Sequence, residues 1–223
     1  MLIERLNRFT LKVRVGRDIV KAYLANPGRL TTVLAPQRKV LLMEVDAIGR
    51  RTRYNVFAVK AAGNYVTVSS AFANRIFEEA LRRSLLKGFE GYVLKRREAY
   101  LKNQGRIDFL LRSVNGKDAY VEVKSCTEVV NGVALFPDAP SERGRRHVAS
   151  LRRVLLEGLE AYVVFIVQRP DAKAFRPYYE VDPKFSEELV EAAREGVNVK
   201  AYKTMFQPPY IYLDPRPLKL EGL

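Results

Sequence analysis

The spacing of apolar residues changes character once along this chain, near residue 70, and that change limits the fold more than any other feature. Before it, segments 10–15, 19–25, 39–45, 54–61 and 65–68 read as short β-strands. They are separated by turn signals at Gly16-Arg17-Asp18, Asn26-Pro27-Gly28, 47–49 and Gly63-Asn64. Five short strands with no long helix predict a small β-barrel. An OB-like barrel is the commonest nucleic-acid-binding solution of that size, and an SH3-like barrel fits the same strand count. After the change, Ser69 or Ser70 is placed to cap a helix over 71–86, with Phe72, Ile76, Ala80 and Leu81 on one stripe and Gly88 past its end. Strands follow at 92–100, 106–111 and 119–125, then a helix at 142–157 and a strand at 161–168, in the order α, β, β, β, α, β. A helix at 183–195 and strands at 197–205 and 210–213 complete the chain. The reading is an OB-like β-barrel over 1–69 followed by a mixed α/β domain over 70–223.

The longest uninterrupted apolar run, 161–167, falls far short of the roughly 18 residues of a membrane-crossing helix and reads as a buried strand. Charges in Met1-Leu2-Ile3-Glu4-Arg5-Leu6-Asn7-Arg8 leave no room for the apolar stretch of an export signal. A single cysteine, Cys126, rules out an intramolecular disulfide and a cysteine-rich zinc site. A cytoplasmic protein without a membrane partner is expected. The formal net charge is +14, with 39 Lys and Arg against 25 Asp and Glu. Such an excess attracts polyanions, DNA foremost. Residues 1–60 hold 13 basic and 4 acidic side chains, a net of +9, which leaves +5 for the rest. A surface adapted to high temperature is also rich in charge, but that adaptation adds acids as well as bases.

Two strands carry the candidate chemistry. Asp108 lies in Arg106-Ile107-Asp108-Phe109, and Glu122 and Lys124 lie in Tyr120-Val121-Glu122-Val123-Lys124-Ser125. Side chains alternate faces along a strand, so Glu122 and Lys124 point one way while Val121 and Val123 point into the core. If Asp108 shares their side, two carboxylates and an ammonium converge, as hydrolysis of a phosphodiester assisted by Mg²⁺ or Mn²⁺ requires. Lys124 would then orient or deprotonate the attacking water, or stabilise charge on the phosphate. The turn decides the matter. A plain two-residue Asn115-Gly116 turn pairs Asp108 with Val123 and sends the aspartate to the wrong face. A three-residue loop with Gly116 left-handed, or a bulge, restores the site.

The order of these residues resembles the PD-(D/E)XK nuclease superfamily. Longer strings carry a closer likeness: Asn74-Arg75-Ile76-Phe77-Glu78-Glu79-Ala80-Leu81, Arg106-Ile107-Asp108-Phe109, Tyr120-Val121-Glu122-Val123-Lys124-Ser125, Ala134-Leu135-Phe136-Pro137-Asp138-Ala139 and Glu142-Arg143-Gly144 with His147. Together they resemble the sugar fermentation stimulation protein A (SfsA) family. The resemblance implies an OB-like barrel, a PD-(D/E)XK nuclease-like second domain, and DNA binding with little sequence preference linked to sugar metabolism. It also implies an added metal-site acid at Glu79, beside Asp108 and Glu122. The chain departs from the family's Cys-Pro-Asn-Thr-Gly loop, carrying Ala25-Asn26-Pro27-Gly28-Arg29-Leu30 instead.

The remaining candidates each carry two readings. Glu79 is either that acid or a solvated helix residue, and Asp138 either closes the site or caps the next helix. Arg29 in its glycine-containing turn is placed to approach phosphates. Arg106 clamps a phosphate or pairs with an acid. Arg143, Arg146 and His147 begin a helix where phosphate can bind, with Arg143 and His147 on one face; His147 is otherwise a packing residue. The run Lys95-Arg96-Arg97 lines the site or protects an edge strand. Phe9, Tyr23, Tyr54 and Phe57 either stack bases or fill the core. Two functions therefore compete: a Mg²⁺- or Mn²⁺-dependent nuclease using Asp108, Glu122, Lys124 and Glu79, and a non-enzymatic DNA-binding regulator that retains the nuclease fold.

Overall fold

The computed structural model describes residues 1–46, 49, 51–101 and 105–223. The turn expected at 47–49 lies outside the described residues except for Gly49. The barrel strands are β1 (Leu2–Asn7), β2 (Thr10–Val15), β3 (Asp18–Tyr23), β4 (Val40–Glu44), β5 (Tyr54–Ala61) and β6 (Asn64–Thr67). Helix α1 (Ala71–Arg82) leads into β7 (Tyr92–Leu101), β8 (Gly105–Ser113) and β9 (Asp118–Cys126), then the short β10 (Glu128–Val130) and β11 (Val133–Phe136). Helix α2 (Glu142–Leu156), β12 (Glu160–Val167), β13 (Ala174–Pro177), α3 (Pro183–Glu195), β14 (Asn198–Gln207), β15 (Tyr210–Leu213) and β16 (Lys219–Leu220) follow.

In the barrel, alternation sends Leu11, Val13, Ala22, Val56 and Val66 into one apolar core. The second half is built on the order β14-β12-β9-β8-β7, with β9, β12 and β14 parallel. Helix α1 lays Ala73, Phe77, Ala80 and Leu81 against Val121, Val123 and Tyr162, while α2 and α3 cover the opposite side with Val148, Leu151, Phe185 and Leu189. A sheet covered on both faces explains why β12 is apolar at nearly every position. The pairing of Tyr65 with Phe206 joins β6 to β14 and makes the barrel and the α/β layer one continuous sheet.

Buried polar bonds also cross between the halves. Glu128 accepts from the hydroxyls of Thr31 and Thr32, each at 3.0 Å, Asp138 accepts from the Leu30 N–H at 2.9 Å, and Thr67 donates to Gln168 at 2.5 Å. The capping reading of Asp138 is therefore corrected: Ser141 caps α2, accepting from the Gly144 N–H at 3.1 Å. Asp138 instead sits so close to Gly28 that a Cβ there would lie 2.4 Å from its carboxylate.

Helix α1 ends at Arg82, four residues before the expected 86. Ser84 adopts φ +53, and the bonds Leu85 N–H to Ala80 O and Ser84 N–H to Leu81 O close a Schellman stop without glycine. Ser70 stands at its N-cap but makes no side-chain cap; its hydroxyl donates to Ala25 O at 3.2 Å.

Candidate metal and nucleic-acid site

Between β8 and β9, three residues, 114–116, lie inside the closing pair Ser113 and Lys117. Ser113 N–H bonds Lys117 O at 2.8 Å, Gly116 N–H bonds Ser113 O at 2.9 Å, and Gly116 lies at φ +80. Arg112 pairs with Asp118 and Phe109 with Val121, a register whose continuation would bring Asp108 opposite Glu122 and not Val123. The left-handed glycine thus supplies the geometry that the site requires. Beyond Phe109 the ladder gives way to side-chain bonding: one Asp108 oxygen accepts the Val123 N–H at 2.8 Å, and the other accepts from Asn74 of α1 at 2.9 Å.

Glu122 is 3% exposed. Its Oε1 accepts from Lys124 Nζ at 2.5 Å and contacts His147 Nδ1. Arg143 Nε stands 3.3 Å from the other ring nitrogen of His147. Glu122 Oε2 is buried with no hydrogen-bond partner. Burial and the Glu122 charge push the Asp108 carboxyl up, outweighing its two hydrogen bonds. Burial also opposes ionisation of Glu122, but the charges and hydrogen bonds of Lys124 and His147 prevail and hold its carboxyl below the usual range. Two nearby carboxylates, Glu122 buried with an unsatisfied oxygen and Asp108 half-buried, are hard-oxygen groups that could hold a divalent cation.

Other candidates lie elsewhere. Glu79 is exposed and paired with Arg83 at 2.7 Å, so the structure does not bring it to Asp108 and Glu122. Its place one residue beyond the Asn74–Glu78 face of α1 accounts for this, and Glu78 is itself buried under Arg82 and Arg97. Among the described residues, no three His, Cys, Asp or Glu side chains form a group able to hold a metal. Arg106 pairs with Glu98 at 3.0 Å on the surface. Arg29 and Arg146 are exposed, and the Arg29 carbonyl accepts from Arg5 at 2.7 Å. Lys95 binds Asp118 at 2.8 Å, and Arg96 is exposed. Sequence reasoning gave Asn74 no role; its position four residues before Glu78 on the buried side of α1 was the available signal.

An OB-like barrel followed by a mixed α/β domain, with two carboxylates and a lysine on adjacent strands, is the class that this architecture defines. The model of the SfsA N-terminal OB domain matches residues 3–68, and that of the sugar fermentation stimulation protein RE domain matches 71–210. The chain belongs to the sugar fermentation stimulation protein (SfsA) family. It is 42% identical to a sugar fermentation stimulation protein homolog of Methanothermobacter thermautotrophicus over 200 residues, covering 90% of this chain and 82% of the relative. It is 41% identical to the homolog of Moorella thermoacetica, over 95% of this chain and 91% of that one. The solved structure of Pyrococcus furiosus SfsA in complex with Ca²⁺ matches with a TM-score of 0.90 at 31% identity, over 99% of this chain and 94% of that one. Among the described residues, no helix is long and apolar enough to cross a membrane.

Proposed function

We propose that this chain is a cytoplasmic, divalent-metal-dependent nuclease that binds DNA without strong sequence preference, docking it on residues 1–69 and cutting it with residues 70–223. The observation that carries the reading is the pair of half-buried Asp108 and buried Glu122, the latter with one oxygen held by the Lys124 ammonium and the other, Oε2, without a hydrogen-bond partner. Asp108 and Glu122 would hold Mg²⁺ or Mn²⁺. Two carboxylates suffice, because Mg²⁺ keeps several waters and takes substrate phosphate oxygens as further ligands. The bound ion would supply Lewis acidity toward the phosphate and lower the pKa of an attacking water. The Ca²⁺ complex of the Pyrococcus furiosus relative supports a site for a hard divalent cation.

Asn74 and the Val123 N–H anchor Asp108, and His147 anchors Glu122. Lys124, fixed by Glu122, donates to a non-bridging phosphate oxygen and stabilises the charge that develops there. Arg143, behind His147, and the exposed Arg146 face the backbone of the approaching strand. Glu79 enters only if α1 turns, so its part here is to orient Arg83.

A second reading, a DNA-binding regulator of sugar metabolism without enzymatic activity, is favoured by the absence of a third acidic or imidazole ligand among the described residues. Cleavage of labelled single-stranded and duplex DNA in Mg²⁺ or Mn²⁺ separates the two. Wild type is expected to cut, and Asp108→Ala and Lys124→Ala, compared at equal DNA occupancy, are expected to lose at least about a hundredfold in rate. DNA bound equally by all three proteins and cut by none would leave the regulator reading standing.

A further inference from the structure

The four aromatic residues with two readings in the sequence are separated by the structure. Tyr54 packs against the barrel core, and Phe57 is enclosed by Phe72 and Phe206 with ring centroids at 4.8 and 5.0 Å. Phe9 and Tyr23 do the opposite. They lie 40% and 37% exposed, with their rings stacked on each other at 6.3 Å and 29° between planes. The Arg8 guanidinium stands 5.9 Å from the Phe9 ring.

Cross-strand register places what surrounds them. Thr10 pairs with Tyr23, Lys12 with Lys21 and Arg14 with Ile19, while the alternate pairs Leu11–Ala22 and Val13–Val20 face the core. The outward face of β2 and β3 therefore presents Tyr23, Lys12, Lys21, Arg14 and Ile19 together, with Ile19 55% exposed. Lys12 is bridged by Glu4 at 3.0 Å, but Arg14 and Lys21 have no carboxylate partner among the described residues. Two lysines directly opposite each other repel, a cost that a bound polyanion relieves.

We propose that this face is a binding platform for an unpaired nucleic-acid strand: bases stack on the Phe9–Tyr23 pair while the phosphates follow Arg8, Lys12, Lys21 and Arg14. Exposed rings are poor contacts for a duplex, whose bases are already stacked, and good ones for a strand whose bases are free. The inference deepens the nucleic-acid reading given above and rests on it, and it assigns the strand type that the barrel selects. It does not depend on catalysis at Asp108.

The test is fluorescence anisotropy with labelled oligothymidine and with a duplex of equal length, in EDTA so that nothing is cut. Wild type is compared with Tyr23→Phe, with the doubly substituted Phe9→Ala/Tyr23→Ala protein and with Lys12→Ala/Lys21→Ala. The rings lie outside the core, and circular dichroism checks that each variant is folded. Losing both rings is expected to weaken oligothymidine binding by about tenfold or more while leaving duplex affinity and the salt slope in place. Tyr23→Phe keeps wild-type affinity, and the lysine variant lowers the dependence of log K on log salt by up to about 2. Unchanged oligothymidine binding by the ring variant, or an equal loss on duplex, overturns the platform alone. Wild type that binds neither probe overturns the nucleic-acid reading along with it.

Discussion

Single residues decide where the two halves of this protein meet. The Asp138 carboxyl is half-buried between them, accepts from the Leu30 N–H, and leaves no space for a side chain at Gly28. Burial, with Glu128 nearby, raises its folded pKa above the unfolded value. The sign follows from linkage: a raised carboxyl contributes stability below its unfolded pKa, and the contribution fades as pH rises through the folded one. Asp138→Asn keeps an acceptor for Leu30 and removes the titration, so its stability is expected to vary less with pH than wild type across that window, read by urea unfolding at several pH values. Asp138→Ala leaves the buried Leu30 N–H unpaired and is expected to cost about 1–3 kcal/mol below that window, and less above it. Equal pH dependence in wild type and Asp138→Asn would show that this carboxyl is not the titrating group.

At the scale of elements, the β8–β9 hairpin sets the chemistry through one loop. A Cβ at Gly116 meets nothing within 4 Å, so only the left-handed backbone resists a substitution. Gly116→Ala is therefore expected to lose about 1–2 kcal/mol in thermal or urea unfolding. A larger loss would point to contacts that the loop does not make.

The same hairpin marks how far elements were legible. Alternation in Tyr120–Lys124 and the glycine of the turn were enough to place Glu122 and Lys124 on one face and to require either three loop residues or a bulge. The β10–β11 hairpin carried an equally plain signal, Asn131-Gly132, both left-handed in the structure, between Val130 and Val133. It went unread because its strands are only three and four residues long, too short for a periodicity to register. The stop of α1 was misplaced for another reason: Ser84 takes a backbone conformation that sequence reasoning reserves for glycine, and Gly88 drew the boundary onward.

For the molecule as a whole, charge pattern and architecture agree. The +9 concentrated in residues 1–60 falls largely on the barrel, while Asp108 and Glu122 lie on the sheet between α1 and α2. The barrel-then-α/β architecture was legible because periodicity is local. The contacts Asn74–Asp108, Glu122–His147 and Asp138–Leu30 were not, because they span 34, 25 and 108 residues of sequence and depend on packing alone. Glu79 shows the cost of reading a helix by motif position: one step along α1 turns a side chain about 100° away, out of the site and into an ion pair with Arg83. The central claim is that Asp108 and Glu122 form a divalent-cation site. A Mn²⁺ titration followed by electron paramagnetic resonance on wild type, Asp108→Asn and Glu122→Gln tests it without recourse to activity. Saturable binding by wild type is expected, with a loss of about tenfold or more in affinity in both folded variants; no binding by wild type at millimolar Mn²⁺, or binding that both variants retain, would rule the site out.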